Sequence, residues 1–312
     1  MECVETPGKG GVGKGGASQQ FGFGVSYHLH ADDTQLYFST PDHPNEAVEV
    51  LSRCLEAVRV WMGRNRLKLN PSKTEWLWMP APRYSQLHPQ LTVGGELVAP
   101  KEVIRNLGVL LDGRLSFDEH LAAVSRRAFY QVCLVRQLRP FLDRDALCTV
   151  THALVTSRLD YCNALYMGLP LRCTRRLQLV QNAAAQVVMG ATRGSHVTPL
   201  LRSLHWLPVV FRVRFKILVT TFKALHGLGP GYLRDHLLLP YASHRPVRSH
   251  REGLLRVPSA KQCRLAAPRS RAFSVGASTL WNELPPGLRQ VPDLRTFRRE
   301  LKTYLFIQAG LA

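Results

Sequence analysis

Two adjacent carboxylates, Asp32 and Asp33, are the residues of this 312-residue chain whose type and spacing best suit chemistry. They close the segment His30-Ala31-Asp32-Asp33, between a loosely alternating Phe21 to Tyr27 and the aromatic, strand-like Gln35-Leu36-Tyr37-Phe38. The pattern predicts two short strands joined by a tight acidic turn. Carboxylates fixed side by side on such a turn concentrate negative charge, which a divalent-cation site for phosphoryl transfer requires. On the dipeptide alone, an ordinary turn that uses Asp for backbone reasons is the better explanation; the surrounding residues must decide. A second candidate, Lys9-Gly10-Gly11-Val12-Gly13-Lys14, has the composition of a phosphate-cradling loop. Gly15 follows it where a Mg²⁺-binding hydroxyl belongs, and neither a strand nor a helix pattern flanks it. Residues 1–20 are therefore expected to be a flexible Gly-rich leader. The seven cysteines include no C-x-x-C pair and no cluster with His, so reduced thiols are expected rather than a zinc site.

The elements that would hold the acidic turn follow from periodicity. Val48, Leu51, Leu55, Val58 and Met62 recur at three and four residues and predict an amphipathic helix ending near Gly63. Arg66–Asn70 and Thr74–Trp78 read as strands around the turn Pro71-Ser72-Lys73. Gly94-Gly95 marks a hairpin within Leu91–Val98, and Asn106–Leu111 reads as a strand closed by Asp112-Gly113. Beyond residue 115 the pattern turns helical. Ser116-Phe117-Asp118-Glu119 reads as a capping box ahead of Leu121, Val124, Ala128, Val132 and Val135. A second helix from Asp143 carries Leu147, Val150, Leu154, Tyr161 and Leu165. A third carries Leu177, Val180, Ala184 and Val187, and a fourth, after Pro208, carries Phe211, Phe215, Leu218, Phe222 and Leu225. Residues 227–292 read as loop-rich. A last short helix starts at Asp293 with Leu294, Phe297, Leu301 and Leu305 inward.

The context of the acidic turn resembles a known family. Phe23 to Tyr37, with His30-Ala31-Asp32-Asp33 at its centre, resembles the Y-A-D-D box, motif C, of reverse transcriptases; His30 stands where the box has Tyr. Leu67-Lys68-Leu69-Asn70-Pro71-Ser72-Lys73-Thr74-Glu75 looks like the following palm segment, motif D, and Asn106 to Asp112 resembles the primer-grip hairpin. Ser157 to Asn163, Leu179 to Ala184, Leu204-His205-Trp206-Leu207-Pro208 and Trp281 to Leu305-Phe306 are similar to the region after the palm in non-LTR (LINE-type), jockey-like retrotransposons. The resemblance implies Asp32 and Asp33 as ligands of Mg²⁺ or Mn²⁺, with Asp32 the main one. It implies Lys73 near the incoming triphosphate, as a candidate proton donor. It also implies a basic thumb that holds an RNA or DNA template–primer through its phosphates, with Arg126, Arg127, Arg172, Arg175 and Arg176 as its grip.

Charge agrees with a polyanionic partner. The net charge is +19, and residues 121–312 hold 29 Lys+Arg against 8 Asp+Glu, whereas residues 1–120 hold 12 against 14. No stretch approaches about 18 apolar residues, so no membrane span is expected, nor a signal peptide; the location expected is intracellular, nuclear or cytoplasmic. The expected fold is α+β. It comprises the leader (1–20), a truncated reverse-transcriptase palm (21–120), a mainly α-helical thumb-like region (121–230) and a basic loop-rich tail with a terminal helix (231–312). Thirty residues precede Ala31, and their acids are Glu2 and Glu5. The motif A carboxylate, the fingers and an upstream endonuclease are thus expected to be missing. The function implied is a remnant of an RNA-directed DNA polymerase, inactive alone; the alternative is a non-specific nucleic-acid-binding module.

Overall fold

Hydrophobic patterning puts the strands of this chain first and its helices after them. The computed structural model describes residues 19–20, 23–31, 33–39, 44–80, 84, 87–241, 253–259 and 271–311. A three-stranded antiparallel sheet comes first, in the order β1 (Gln19–Gln20), β2 (Ser26–His30), β3 (Asp33–Tyr37). Helix α1 (Pro44–Arg64) follows, then the hairpins β4 (Leu91–Val93)/β5 (Glu96–Val98) and β6 (Val103–Asn106)/β7 (Val109–Asp112). The rest is helical: α2 (Asp118–Leu138), α3 (Arg144–Thr151), α4 (Ser157–Asp160), α5 (Leu171–Met189), α6 (Val197–Ser203), α7 (Val209–Leu225), α8 (Phe273–Asn282), α9 (Pro286–Arg289) and α10 (Leu294–Gln308). Helices and small antiparallel strand groups segregated along the chain make the fold α+β.

The hairpin around Ala31 forms in the expected register, with His30 opposite Asp33 and Tyr27 opposite Leu36. Strand β1 pairs with β2 through Gln19 and Gln20, two residues that the sequence assigned to the leader. Gly94 and Gly95 both have positive φ (60° and 88°), the left-handed pair that a two-residue β-turn of this twist demands. Several expectations need correction. Arg66 is a left-handed turn residue (φ 58°), and the segments 67–70 and 74–78 join no ladder; between them Pro71–Lys73 is a 3₁₀ turn, capped by the Asn70 side chain accepting from Ser72 N at 3.1 Å. The predicted strand at Asn106 is a turn of a hairpin, because Leu107 and Gly108 (φ 45° and 81°) reverse the chain there. The capping box does not form. Phe117 adopts a left-handed conformation, and the Asp112 carboxylate instead accepts from the N–H groups of Arg114, Ser116 and Phe117 at 2.8–3.0 Å. In α1 the buried residues are Ala47, Val50, Leu51 and Cys54, a face turned from the predicted one.

The second predicted helix is also rearranged. Between α3 and α4 lies a π-helical turn, His152–Thr156, whose extra residue shifts the inward stripe to Leu147, Thr151, Val155 and Leu159. Tyr161 and Leu165 are consequently exposed. Helix α7 buries Leu218 and Phe222 as expected, but Val213 and Ile217 take the inward places expected of Phe211 and Phe215, which are only partly covered. Helix α8 occupies a segment expected to be loop-rich, and α6 one to which the sequence assigned no element. Among the described residues five cysteines are free thiols; Cys54 is buried and Cys133 is exposed.

Two hydrophobic clusters organise these elements. A small one joins Val25, Val50, Leu51, Cys54 and Leu91, with Leu36, Phe38 and Trp76 packed around it. The large one runs from Val109 of β7 through α2, α5 and α7 to Leu305 and Leu311. The C-terminal segment is thus part of the helical body: Phe297 of α10 stacks on Phe222 of α7 with centroids 4.3 Å apart. Trp281 of α8 packs on Phe297 and donates to the Gly253 carbonyl at 2.8 Å. Arg202 Nε donates to the Leu311 carbonyl at 2.9 Å. Helices α2 and α5 lie side by side and run the same way, since Cys173 meets Asp118 at one end and Arg139 lies over Gly190 at the other.

Candidate nucleic-acid interface

A strand alternates its side chains, so the β2–β3 hairpin has two faces. Val25, Leu36 and Phe38 turn toward α1 and the small cluster. His28, His30, Asp33, Gln35 and Tyr37 share the other, exposed face, where His28 stacks on Tyr37 at 5.3 Å. Asp33 therefore points away from the core beside His30. Asp32 lies outside the described residues. Lys73 is exposed at the end of its 3₁₀ turn. The following Glu75 is committed elsewhere, accepting from Lys101 Nζ at 2.9 Å and from the backbone N–H of Arg105 at 3.0 Å; these contacts, Lys101 foremost, hold its carboxyl below the usual range. Among the described residues no group of three or more His, Cys, Asp or Glu side chains could hold a metal ion. One carboxylate, Asp33, does not by itself make a Mg²⁺ site.

The basic residues give a better-defined arrangement. Arg127 of α2, Arg105 of β6 and Arg158 of α4 line one cleft of about 420 Å³, floored by Leu110, Val124 and His120 and walled by Tyr161. No acidic side chain lines it. The surrounding geometry is fixed by hydrogen bonds between elements. Tyr161 Oη donates to the Leu107 carbonyl at 2.6 Å, pinning the left-handed Leu107 of the β6–β7 turn, and Gly108 supplies the second positive φ (81°) of that turn. His120 is buried between the hairpin and the helices: its Nδ1 accepts from Leu110 N–H at 3.3 Å, which leaves Nε2 to donate to Tyr166 Oη at 3.1 Å. Burial, and then the Arg127 charge, lower the His120 pKa, so its ring is held neutral as that pattern requires. Arg158 Nε donates to the Leu154 carbonyl at 3.1 Å, which orients its guanidinium.

Three guanidinium groups around an acid-free concavity suit phosphate oxygens, each offering charge-assisted hydrogen bonds that carry no base information. Of the five arginines expected to grip nucleic acid, the structure brings only Arg127 to this cleft. Arg126 is exposed on the preceding helical position, about 100° around the axis. Arg172, Arg175 and Arg176 are exposed on the first turns of α5, beside the start of α2. Arg105 and Arg158 were missed from sequence. Arg158 stands in Ser157-Arg158-Leu159-Asp160, but the π turn hides its direction; Arg105 stands one residue before the strand as it was drawn.

Comparison with known proteins gives one distant similarity. Over 184 residues the chain is 29% identical to the probable RNA-directed DNA polymerase from transposon BS of Drosophila melanogaster, a match that covers 56% of this chain. The chain spans about a fifth of that relative's length, 20% of which is covered. No protein-family profile matches the chain, and no solved structure does. The similarity supports a reverse-transcriptase origin. No described helix is long and apolar enough to cross a membrane.

Proposed function

We propose that this chain derives from the RNA-directed DNA polymerase of a non-LTR retrotransposon and that its helical body holds template–primer by the phosphate backbone. The observation that carries this reading is the acid-free cleft of Arg105, Arg127 and Arg158, in a chain similar to a transposon polymerase. On this reading the β6–β7 hairpin and α2 form the junction of palm and thumb, and Arg172, Arg175 and Arg176 extend the cationic track along α5. Asp32 and Asp33 are polymerase carboxylates for Mg²⁺ or Mn²⁺, and Lys73 is a group for the incoming triphosphate. Two-metal phosphoryl transfer draws carboxylates from separate strands. The isolated 312-residue polypeptide is therefore expected to bind without polymerising, as a remnant would.

A second reading, a non-specific nucleic-acid-binding module, is favoured by the continuous core from Val109 to Leu311, which unites the whole basic half of the chain. One experiment separates the two. Purified chain is given an RNA template with a DNA primer, dNTPs and Mg²⁺ or Mn²⁺, alone and with an added polypeptide carrying the upstream part of a related polymerase. Salt-sensitive binding with no extension alone, and extension on complementation that is lost in Asp32→Ala/Asp33→Ala, is the expected result. Binding that no complementation converts into extension favours the module. Loss of neither binding nor salt dependence in Arg105→Ala/Arg127→Ala/Arg158→Ala would remove the cleft from either reading.

A further inference from the structure

Helices α7 and α10 present a second concentration of positive charge, on the other side of α4 from the cleft above. Arg212, Lys216 and Lys223 follow one another at four and seven residues on α7, so they share one face over about 16 Å of axis. Arg298 and Lys302 stand four apart on α10. Because Phe222 and Phe297 lock the two helices together, both rows line one groove of about 500 Å³. Its single acidic lining residue, Asp160, is already engaged bidentately by Arg212, through Nε–Oδ1 at 2.8 Å and a second contact between Nη2 and Oδ2. The protein thus leaves four cations of the groove without a lining counter-charge.

The rim carries flat rings. Lys302 Nζ lies 5.7 Å from the centroid of Phe306, whose ring is 6.1 Å from that of His205. His205 is exposed and its backbone is held at φ 52°, a conformation that non-glycine residues seldom adopt and that structures keep where the surroundings enforce it. Burial first, and then the neighbouring Arg212, depress the Lys302 pKa; His152 is lowered by burial and by Arg212 and Lys302, against the opposing pull of Asp160. Arg212 and Lys302 thus add repulsion between like charges to the burial that already disfavours charge here.

We propose that the α7–α10 groove is a second nucleic-acid site, one that takes a single-stranded polynucleotide with its phosphates along Lys216, Lys223, Arg298 and Lys302 and an unpaired base against His205. A single strand offers both a polyanionic backbone and free base faces, and basic grooves edged by rings use the two together. A duplex shields its base faces. A lipid surface calls for cations beside outward apolar side chains on a flat or convex patch, whereas these cations line a concavity. The proposal stands on this groove alone and does not need the polymerase reading.

The test uses the full chain and a labelled poly-dT or poly-U strand of about 20 nucleotides, long enough for one such site. A duplex of equal length is the comparison, and both are read by anisotropy across a salt series. In Lys216→Gln/Lys302→Gln the single strand is expected to bind roughly tenfold more weakly. Its log K against log salt should flatten by about 1.4, roughly 0.7 for each lost phosphate contact. His205→Ala is expected to weaken the single strand and leave the duplex unchanged, while Arg105→Ala/Arg127→Ala chiefly weakens the duplex. Unchanged single-strand affinity and slope in the groove variant would overturn the proposal, whatever the duplex does. Acetylation footprinting of the unaltered chain provides a measurement that no folding defect can confuse. Lys216, Lys223 and Lys302 should be protected by the strand; protection by phosphatidylserine vesicles and not by the strand would assign the groove to membranes and overturn the proposal too.

Discussion

Arg126 and Arg127 are neighbours in sequence but differ in surroundings: Arg127 lines the cleft with Arg105 and Arg158, and Arg126 does not. Arg127→Ala is therefore expected to weaken duplex binding and to reduce the salt slope by about 0.9, one phosphate contact. Arg126→Ala should change both less, and equal losses measured by anisotropy would refute the distinction. His120 gives a different kind of prediction. Its pKa is lowered by burial and by Arg127, and that of His152 by burial, Arg212 and Lys302 against Asp160. The unfolded chain takes up protons at the ordinary histidine value of about 6.5, whereas the folded chain resists until lower pH. Their contribution to stability is thus complete above that value and is lost as pH falls through it toward the folded pKa. Urea midpoints should drop between pH 7.5 and 5.5, and His120→Gln should flatten part of that slope; an unchanged slope would show that His120 titrates normally.

At the scale of elements, Asp112 joins the end of the β6–β7 hairpin to the start of α2. Burial alone would raise its pKa. The N–H groups of Ser116, Phe117 and Arg114 and the Ser116 hydroxyl outweigh that and hold it low, so the carboxylate is the working form. Asp112→Ala should cost roughly 2–3 kcal/mol in urea unfolding, the range for losing charge-assisted bonds to otherwise orphaned donors. A loss below about 0.5 kcal/mol, the level of an ordinary surface change, would mean that water replaces it. The sequence pointed instead to Ser116 as the cap, because the local S-x-x-E spacing is visible and a carboxylate four residues upstream is not. The same limit explains the other misreadings. Stripes with unbroken 3.6-residue periodicity and a glycine stop, as in α5, were legible, and so was α10 with its Asp293 cap. One π turn was enough to misdirect the reading of residues 152–165, and with it Arg158. Helix α8 was hidden in a Pro-, Gly- and Arg-rich segment, since its buried face is made partly of Gly276, Ala277 and Ser278. Of the acidic turn, the hairpin and its register were legible; the opposing faces of His30/Asp33 and Leu36 followed from pairing that only the fold reveals.

The whole molecule is unevenly built. Among the described residues, the elements before residue 100 pack on a cluster of five buried residues, while the helical body and the C-terminal helices share one large core. Phe297→Ala is expected to destabilise that body by about 3–5 kcal/mol, the usual cost of removing a buried ring. Thermal unfolding should show the loss in the main transition; a shift under about 2 °C would mean that α10 is only loosely attached.

Because α10 and Leu311 complete a core that begins at Val109, the ribosome must deliver some 200 residues before that core can close. At about 5–20 residues per second, Phe222 of α7 waits roughly 4–15 s for Phe297, its stacking partner on α10. A nascent chain of this kind presents that face of α7 to chaperones until α10 emerges. A message interrupted before codon 297 would leave that face of α7 uncovered for good.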